Sequence, residues 1–240
     1  MLNKMNHKPR PQGTKKLYYV MSAVSFTLFV ILTVLLLKVD VTASGINGSN
    51  IGLSMINISF RDVIGSSWLC YNISKVAGIV GLAACALICL MFAFRVMRQK
   101  SLKALCKRDV ALVALYIETA VFYIVFDKIV INYRPMLKWG ETEPESSFPS
   151  THALMAVVIF VSLGHVASDY IKNKLTLKIV QGACVVFALA IILGRTFSGV
   201  HWFTDIVGGI LFGVGLVCAY LGAACKEAAM TKEDLPKQSQ

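Results

Sequence analysis

The stretch Leu17–Leu37 contains no charged residue. A helix that crosses a bilayer needs roughly 20 mostly apolar residues, so this run is read as a spanning helix. It is too long for the apolar core of a signal peptide, and no small-residue cleavage site follows it. Five further runs are also mostly apolar, three of them with one or two acids: Val76–Phe94, Val110–Asp127, His152–Asp169, Leu177–Gly194 and Thr204–Cys225. The last carries Gly208, Gly209, Gly213 and Gly215, whose small size lets helices approach closely. The expected fold is all-α, a bundle of six transmembrane helices with both termini on one side. The expected organisation is a basic tail over 1–16, a membrane domain over 17–225 and a short tail over 226–240.

Composition agrees. Hydrophobic residues make up 56% and charged residues 15%, against about 25% charged in a soluble domain. Disorder is excluded, and a water-soluble globule is disfavoured. The net charge of +11 raises the question of nucleic acid. The basic residues sit in short patches between apolar runs, however, and not on one face of a soluble fold. Of 24 lysines and arginines, 17 fall on the side of the N-terminal tail, the second and fourth connections and the C-terminal tail. Cytoplasmic loops carry such an excess, so both termini are expected inside. The seven cysteines show no CxxC spacing and no disulfide framework.

The chemistry collects at the other face. Lys128, Arg134 and Pro135 follow the third span, Ser150 and His152 open the fourth, and Arg195, His201 and Asp205 join the fifth to the sixth. His201 and Asp205 are one helical turn apart, so the carboxylate can accept from one ring nitrogen and leave the other unprotonated toward a substrate. The plainer reading is an interfacial His–Asp pair. Ser150 is a good N-cap, and the helix it caps offers free N–H groups to an anion. Arg134 and Arg195 can each clamp phosphate oxygens bidentately, with Lys128 as a further point charge. There is no carboxylate cluster for a metal. Together these groups describe a phosphate pocket.

Arg195-x5-His201-x3-Asp205 resembles the third signature of the type 2 phosphatidic acid phosphatase (PAP2) superfamily. Phe148-Pro149-Ser150-Thr151-His152 resembles the second, and Lys128-x5-Arg134-Pro135 the first. The first is one residue shorter than usual, with Asp127 at the expected lysine position. Thr151 stands where glycine is usual, and Gly194 where serine often precedes the arginine. The resemblance, over roughly residues 17–225, implies a PAP2/haloperoxidase-like helical core and a two-step displacement. It implies that His201 is the nucleophile, Asp205 its orienting acid, and His152 the general acid and then base. It also implies that Arg134, Arg195, Ser150, Lys128 and Thr151 hold the phosphoryl oxygens, without metal or cofactor. The expected activity is hydrolysis of a lipid phosphate monoester or diphosphate outside the cytoplasm. Phosphatidic acid, phosphatidylglycerophosphate and undecaprenyl diphosphate types are all compatible. Competing readings are a lipid-linked phosphotransferase using the same residues, and a non-catalytic anion-binding membrane protein or transporter. The expected partners are a phospholipid or isoprenoid phosphate and the bilayer, with no nucleic acid and the oligomeric state open.

Other polar residues have plainer readings. His165 lies about 20 Å deeper than His152 along one helix and is expected to pack. Glu118, an acid inside a span, is expected to pair with a polar group on another span. Glu141, Glu143 and Glu145 are expected in a solvated loop. Trp68, Trp139 and Trp202 are expected in an outer aromatic belt, Trp202 also beside the lipid's entry route. Asn47, Asn57 and Asn72 begin glycosylation-type triplets. Residues 38–75 are expected to include a short surface helix.

Overall fold

The computed structural model describes residues 10–137 and 142–226. Expectations for the first nine residues, for Lys138, Trp139 and Glu141, and for the tail beyond 226 lie outside the described residues. Among the described residues seven α-helices follow one another: α1 Thr14–Lys38, α2 Ser54–Ile64, α3 Trp68–Gln99, α4 Lys107–Lys128, α5 Thr151–Tyr170, α6 Lys174–Phe197 and α7 Phe203–Ala224. All but α2 are long and apolar enough to cross a membrane. Each of the six expected spans is a helix, the first five extended at both ends and the last shifted one residue toward the N-terminus, with Cys225 outside it. The largest extension is α3, which begins at Trp68 and takes over part of the segment expected to lie outside the span.

α7 is the central helix. In lipid there is no hydrophobic force to drive helices together, so close packing and interhelical hydrogen bonds must do it. Glycine makes the closest approach possible. A Cβ on Gly209 would sit 2.3 Å from the Ser150 carbonyl oxygen at the start of α5. Gly209→Ala is expected to cost about 1–3 kcal/mol, because backbone and not a pliable side chain blocks the methyl. Thermal unfolding in detergent checks this; an unchanged midpoint would show that α5 and α7 can part freely. On the other flank of α7, α1 donates two hydroxyls into its backbone. Ser22 Oγ donates to Gly215 O at 2.8 Å, and Ser25 Oγ to Leu211 O at 2.7 Å. Phe29 of α1 stacks on Phe148 with ring centroids 5.5 Å apart and meets Phe212 edge-on.

At the end where α1 begins and α7 ends, Arg10 N–H donates to Lys226 O at 2.8 Å. Ion pairs join helix ends there: Arg95 with Asp109, partly buried, and Arg108 with Asp169, whose side chains are buried. His165 packs edge-on against Tyr220, a packing role as expected. Glu118 differs from expectation. It is exposed on α4, with no partner from another span among the described residues. The reason is angular: α4 packs through Leu112, Leu115 and Thr119, which are buried, and Glu118 lies off that stripe.

At the opposite end, α2 lies across the start of α7. Asp40 supplies its cap, accepting from Ser54 Oγ at 2.9 Å and Met55 N–H at 2.7 Å. Asn57, Phe60 and Arg61 share one face of α2 by their spacing. They meet three consecutive residues. Asn57 Nδ2 donates to Thr204 Oγ1 at 2.9 Å, and Asn57 Oδ1 accepts from Thr204 N–H at 3.2 Å. Phe60 packs on Phe203 with centroids 4.7 Å apart, and the Arg61 guanidinium lies 5.9 Å from the Trp202 ring centroid. Asn57 is fully buried, so its side chain caps α7 instead of being presented as a glycosylation acceptor.

Candidate active site

The connection between α6 and α7 is only five residues, Ser198–Trp202. Its reversal uses Gly199 at φ +74°, a left-handed conformation that glycine adopts without penalty. The turn delivers His201 to a buried position. Asp205, one turn into α7, is fully buried; its Oδ2 accepts from Trp202 N–H at 2.9 Å and lies 3.5 Å from His201 Nδ1. A second acceptor is closer: His201 Nδ1 is 3.1 Å from the Ser147 carbonyl oxygen. A carbonyl only accepts, so in a neutral ring Nδ1 carries the proton and Nε2 the lone pair. Nε2 is buried and has no hydrogen-bond partner among the described residues.

The second motif is locked to the third. Ser150 N–H donates to Asp205 O at 2.8 Å, and Ser150 Oγ caps α5 by accepting from Ala153 N–H at 3.4 Å. Thr151 and His152 form the first turn of α5 and are both half-buried. The first motif is tied to the second by a short antiparallel pairing. Arg134 N–H donates to Glu145 O at 3.0 Å, and Ser147 N–H to Asn132 O at 2.9 Å. Arg134 Nε sits 3.2 Å from Glu145 Oε2, so Glu145 is an ion-pair partner and not simply part of a solvated loop. Arg195 is 3% exposed, its guanidinium 4.8 Å from the Tyr71 ring centroid.

These groups form one electrostatic unit. Burial, the first cause, holds His201 well below the usual histidine range, and the charges of Arg134, Arg195 and His152 push the same way. The Ser147 carbonyl opposes them. Desolvation and like charge both disfavour the imidazolium. The result is a neutral, basic-edge imidazole set among cations, an arrangement able to receive an anion and attack it.

Lys128 stands apart. It ends α4 with its side chain 77% exposed and pairs with the adjacent Asp127 at 3.2 Å. The chain turns extended at Ile129, and the shortened motif leaves Lys128 on the solvent side of that turn. Trp202 also departs from expectation. It is 4% exposed, and its indole N–H donates to Tyr133 O at 2.6 Å, so it is a packing residue between two motifs and not part of a lipid-facing belt. Sequence reasoning missed Tyr71, Glu145 and the Ser147 carbonyl. Glu145 was visible as an acid shortly before the second motif; a backbone carbonyl has no sequence signal.

Six helices of membrane-spanning length, with a buried histidine and two arginines collected at one end, define a multi-pass membrane-type bundle with a cationic site. Residues 128–227 match the PAP2 superfamily, a region that includes all three motifs, so the resemblance drawn from them is borne out. The fold is similar to the crystal structure of the first transmembrane PAP2-type phosphatidylglycerolphosphate phosphatase from Bacillus subtilis. That likeness has a TM-score of 0.59 at 17% sequence identity, covering 84% of this chain and 94% of the other. At that identity it is a likeness of fold. No curated protein sequence matches this chain.

Proposed function

We propose that the protein is a membrane lipid phosphatase that works through a phosphohistidine on His201. The observation that carries this is the buried Nε2 edge of His201, its ring oriented through Nδ1 by the Ser147 carbonyl and Asp205, in a site where Arg134, Arg195 and His152 contribute positive charge. Nε2 attacks phosphorus while the bond to the leaving oxygen breaks, and His152 protonates that oxygen. Asp205 and the Ser147 carbonyl stabilise the positive charge on the phosphorylated ring. Water then attacks the phosphohistidine, His152 takes its proton, and neutral His201 is restored. Arg134 and Arg195 hold the phosphoryl oxygens, aided by the N–H groups at the start of α5 around Ser150 and Thr151. Lys128 would act only at longer range.

The substrate is a lipid phosphate monoester or diphosphate. The charge bias supports cytoplasmic termini and a site on the opposite face of the membrane. The membrane domain is taken as 17–225 and the two flanking segments as cytoplasmic tails. Among the described residues no group of three or more His, Cys, Asp or Glu could hold a metal ion, and the two arginines supply the charge a metal would bring.

The test is phosphate release by the detergent-purified protein from a panel of lipid phosphates, with excess EDTA present. Release is expected to survive; loss on chelation with recovery on adding a divalent metal would sink the metal-free mechanism. A pH profile adds a second check. Protonating His201 removes the nucleophile, so activity falls as pH drops through its lowered pKa. The acid limb for phosphoenzyme formation is therefore expected well below the ordinary histidine value of about 6.5. A limb at or above that value would contradict a buried, cation-flanked imidazole.

A further inference from the structure

The end of α6 reaches the site against the start of α3. Ser67 N–H donates to Phe197 O at 2.9 Å. A Cβ on Gly194 would sit 2.8 Å from Cys70 O, and one on Gly199 would sit 2.7 Å from Ser66 Cβ. Gly194 is where the third motif often has serine, so the glycine lets α3 lie directly on the residue before Arg195. This close approach brings Tyr71, the residue after Cys70, against Arg195. The guanidinium lies over the Tyr71 ring, 4.8 Å from its centroid. The stack continues toward the surface. Trp68 lies on Tyr71 with ring centroids 4.9 Å and planes 11° apart, and Trp68 is itself 71% exposed.

The two arginines of the site are held differently. Arg134 has a carboxylate, Glu145, beside its Nε. Arg195 is buried, its Nε has no hydrogen-bond partner, and no acid pairs with it among the described residues. An arginine side chain has many rotamers, and the like charge of Arg134 pushes this one away. A carboxylate would fix Arg195 but would also neutralise it and take its donors. An aromatic ring fixes it by the flat side of the guanidinium. The edge, where the N–H groups point, is left to an anion.

We propose that Tyr71, backed by Trp68, is a positioning residue of the phosphate site: it sets the Arg195 guanidinium edge-on to the phosphoryl oxygens without neutralising it. The proposal deepens the phosphatase reading above and rests on it for the identity of the anion. Tyr71 lies outside all three motifs, on a helix that reaches the site only through the glycine at 194.

The experiment measures two quantities on the detergent-purified parent, Tyr71→Leu and Tyr71→Phe: affinity for inorganic phosphate by isothermal titration calorimetry, and kcat/KM for a lipid phosphate. Tyr71→Leu is expected to weaken phosphate binding and to lower kcat/KM, each by about tenfold, the scale of a desolvated cation–ring contact. Tyr71→Phe keeps the ring and is expected to stay within about threefold of the parent on both. A lower melting temperature in Tyr71→Leu with unchanged phosphate affinity would show a merely structural role and overturn the proposal. A loss in Tyr71→Phe as large as in Tyr71→Leu would assign the effect to the hydroxyl and overturn the ring stack. If Tyr71→Leu does not fold, the exposed Trp68 decides. Trp68→Ala is expected to weaken phosphate binding about threefold, and unchanged affinity would overturn the stack. A parent that binds phosphate but releases none from any lipid would overturn the phosphatase reading alone, and the binding series would still decide the role of Tyr71. A parent that neither binds phosphate nor releases it would overturn both.

Discussion

Replacing His201 by alanine is expected to lower phosphate release by about 10⁴-fold or more, the scale of removing a covalent nucleophile. Nε2 of His201 is buried and has no hydrogen-bond partner among the described residues, whereas His152 sits half-buried in the first turn of α5. A direct readout accompanies the rate. The parent, quenched during turnover of a radiolabelled lipid phosphate, should carry an acid-labile, base-stable label, and the variant should carry none. The variant should remain folded, because the buried turn is held by the bond from Trp202 N–H to the Asp205 carboxylate. Residual turnover within tenfold of the parent would remove His201 as nucleophile.

Asp205→Asn is the next largest effect expected, a loss in kcat on the order of 10³-fold or more, by analogy with removing the orienting carboxylate of a catalytic triad. Asparagine keeps an oxygen for Trp202 N–H, so the turn should stay folded. What disappears is the negative charge 3.5 Å from His201 Nδ1, needed most when phosphorylation makes the ring cationic. KM should move less than kcat. The Ser147 carbonyl, closer to Nδ1 than the carboxylate, makes this a sharp test. Activity within threefold of the parent would mean that the carbonyl alone orients the ring and Asp205 only holds the turn.

Both variants report on residues recognisable from spacing alone, and the limits of that recognition follow from local physics. A spanning helix is a property of a contiguous run, so all six were legible to within several residues. His201 and Asp205, one turn apart, were legible as a pair because helical periodicity is local. Lys128 was harder. Its motif is one residue short, and only the extended backbone at Ile129 shows that its side chain points to solvent. Glu118 was expected to find a partner across the bundle, but which stripe of α4 packs depends on neighbours that sequence does not name.

The order of apolar runs and the spacing of three short motifs were enough to determine a helical bundle of membrane-spanning type and, Lys128 apart, the residues that meet at one end of it. Those features depend on spacing along one chain segment. Tertiary structure decided the rest. The Ser147 carbonyl on His201, Glu145 on Arg134, Tyr71 beneath Arg195 and the docking of α2 over Trp202 all join segments far apart in sequence. They depend on close approach, above all where Gly209 lets α7 meet the start of α5. Such contacts arise from shape and from which backbone groups need partners once buried, and neither is written in the spacing of residue types.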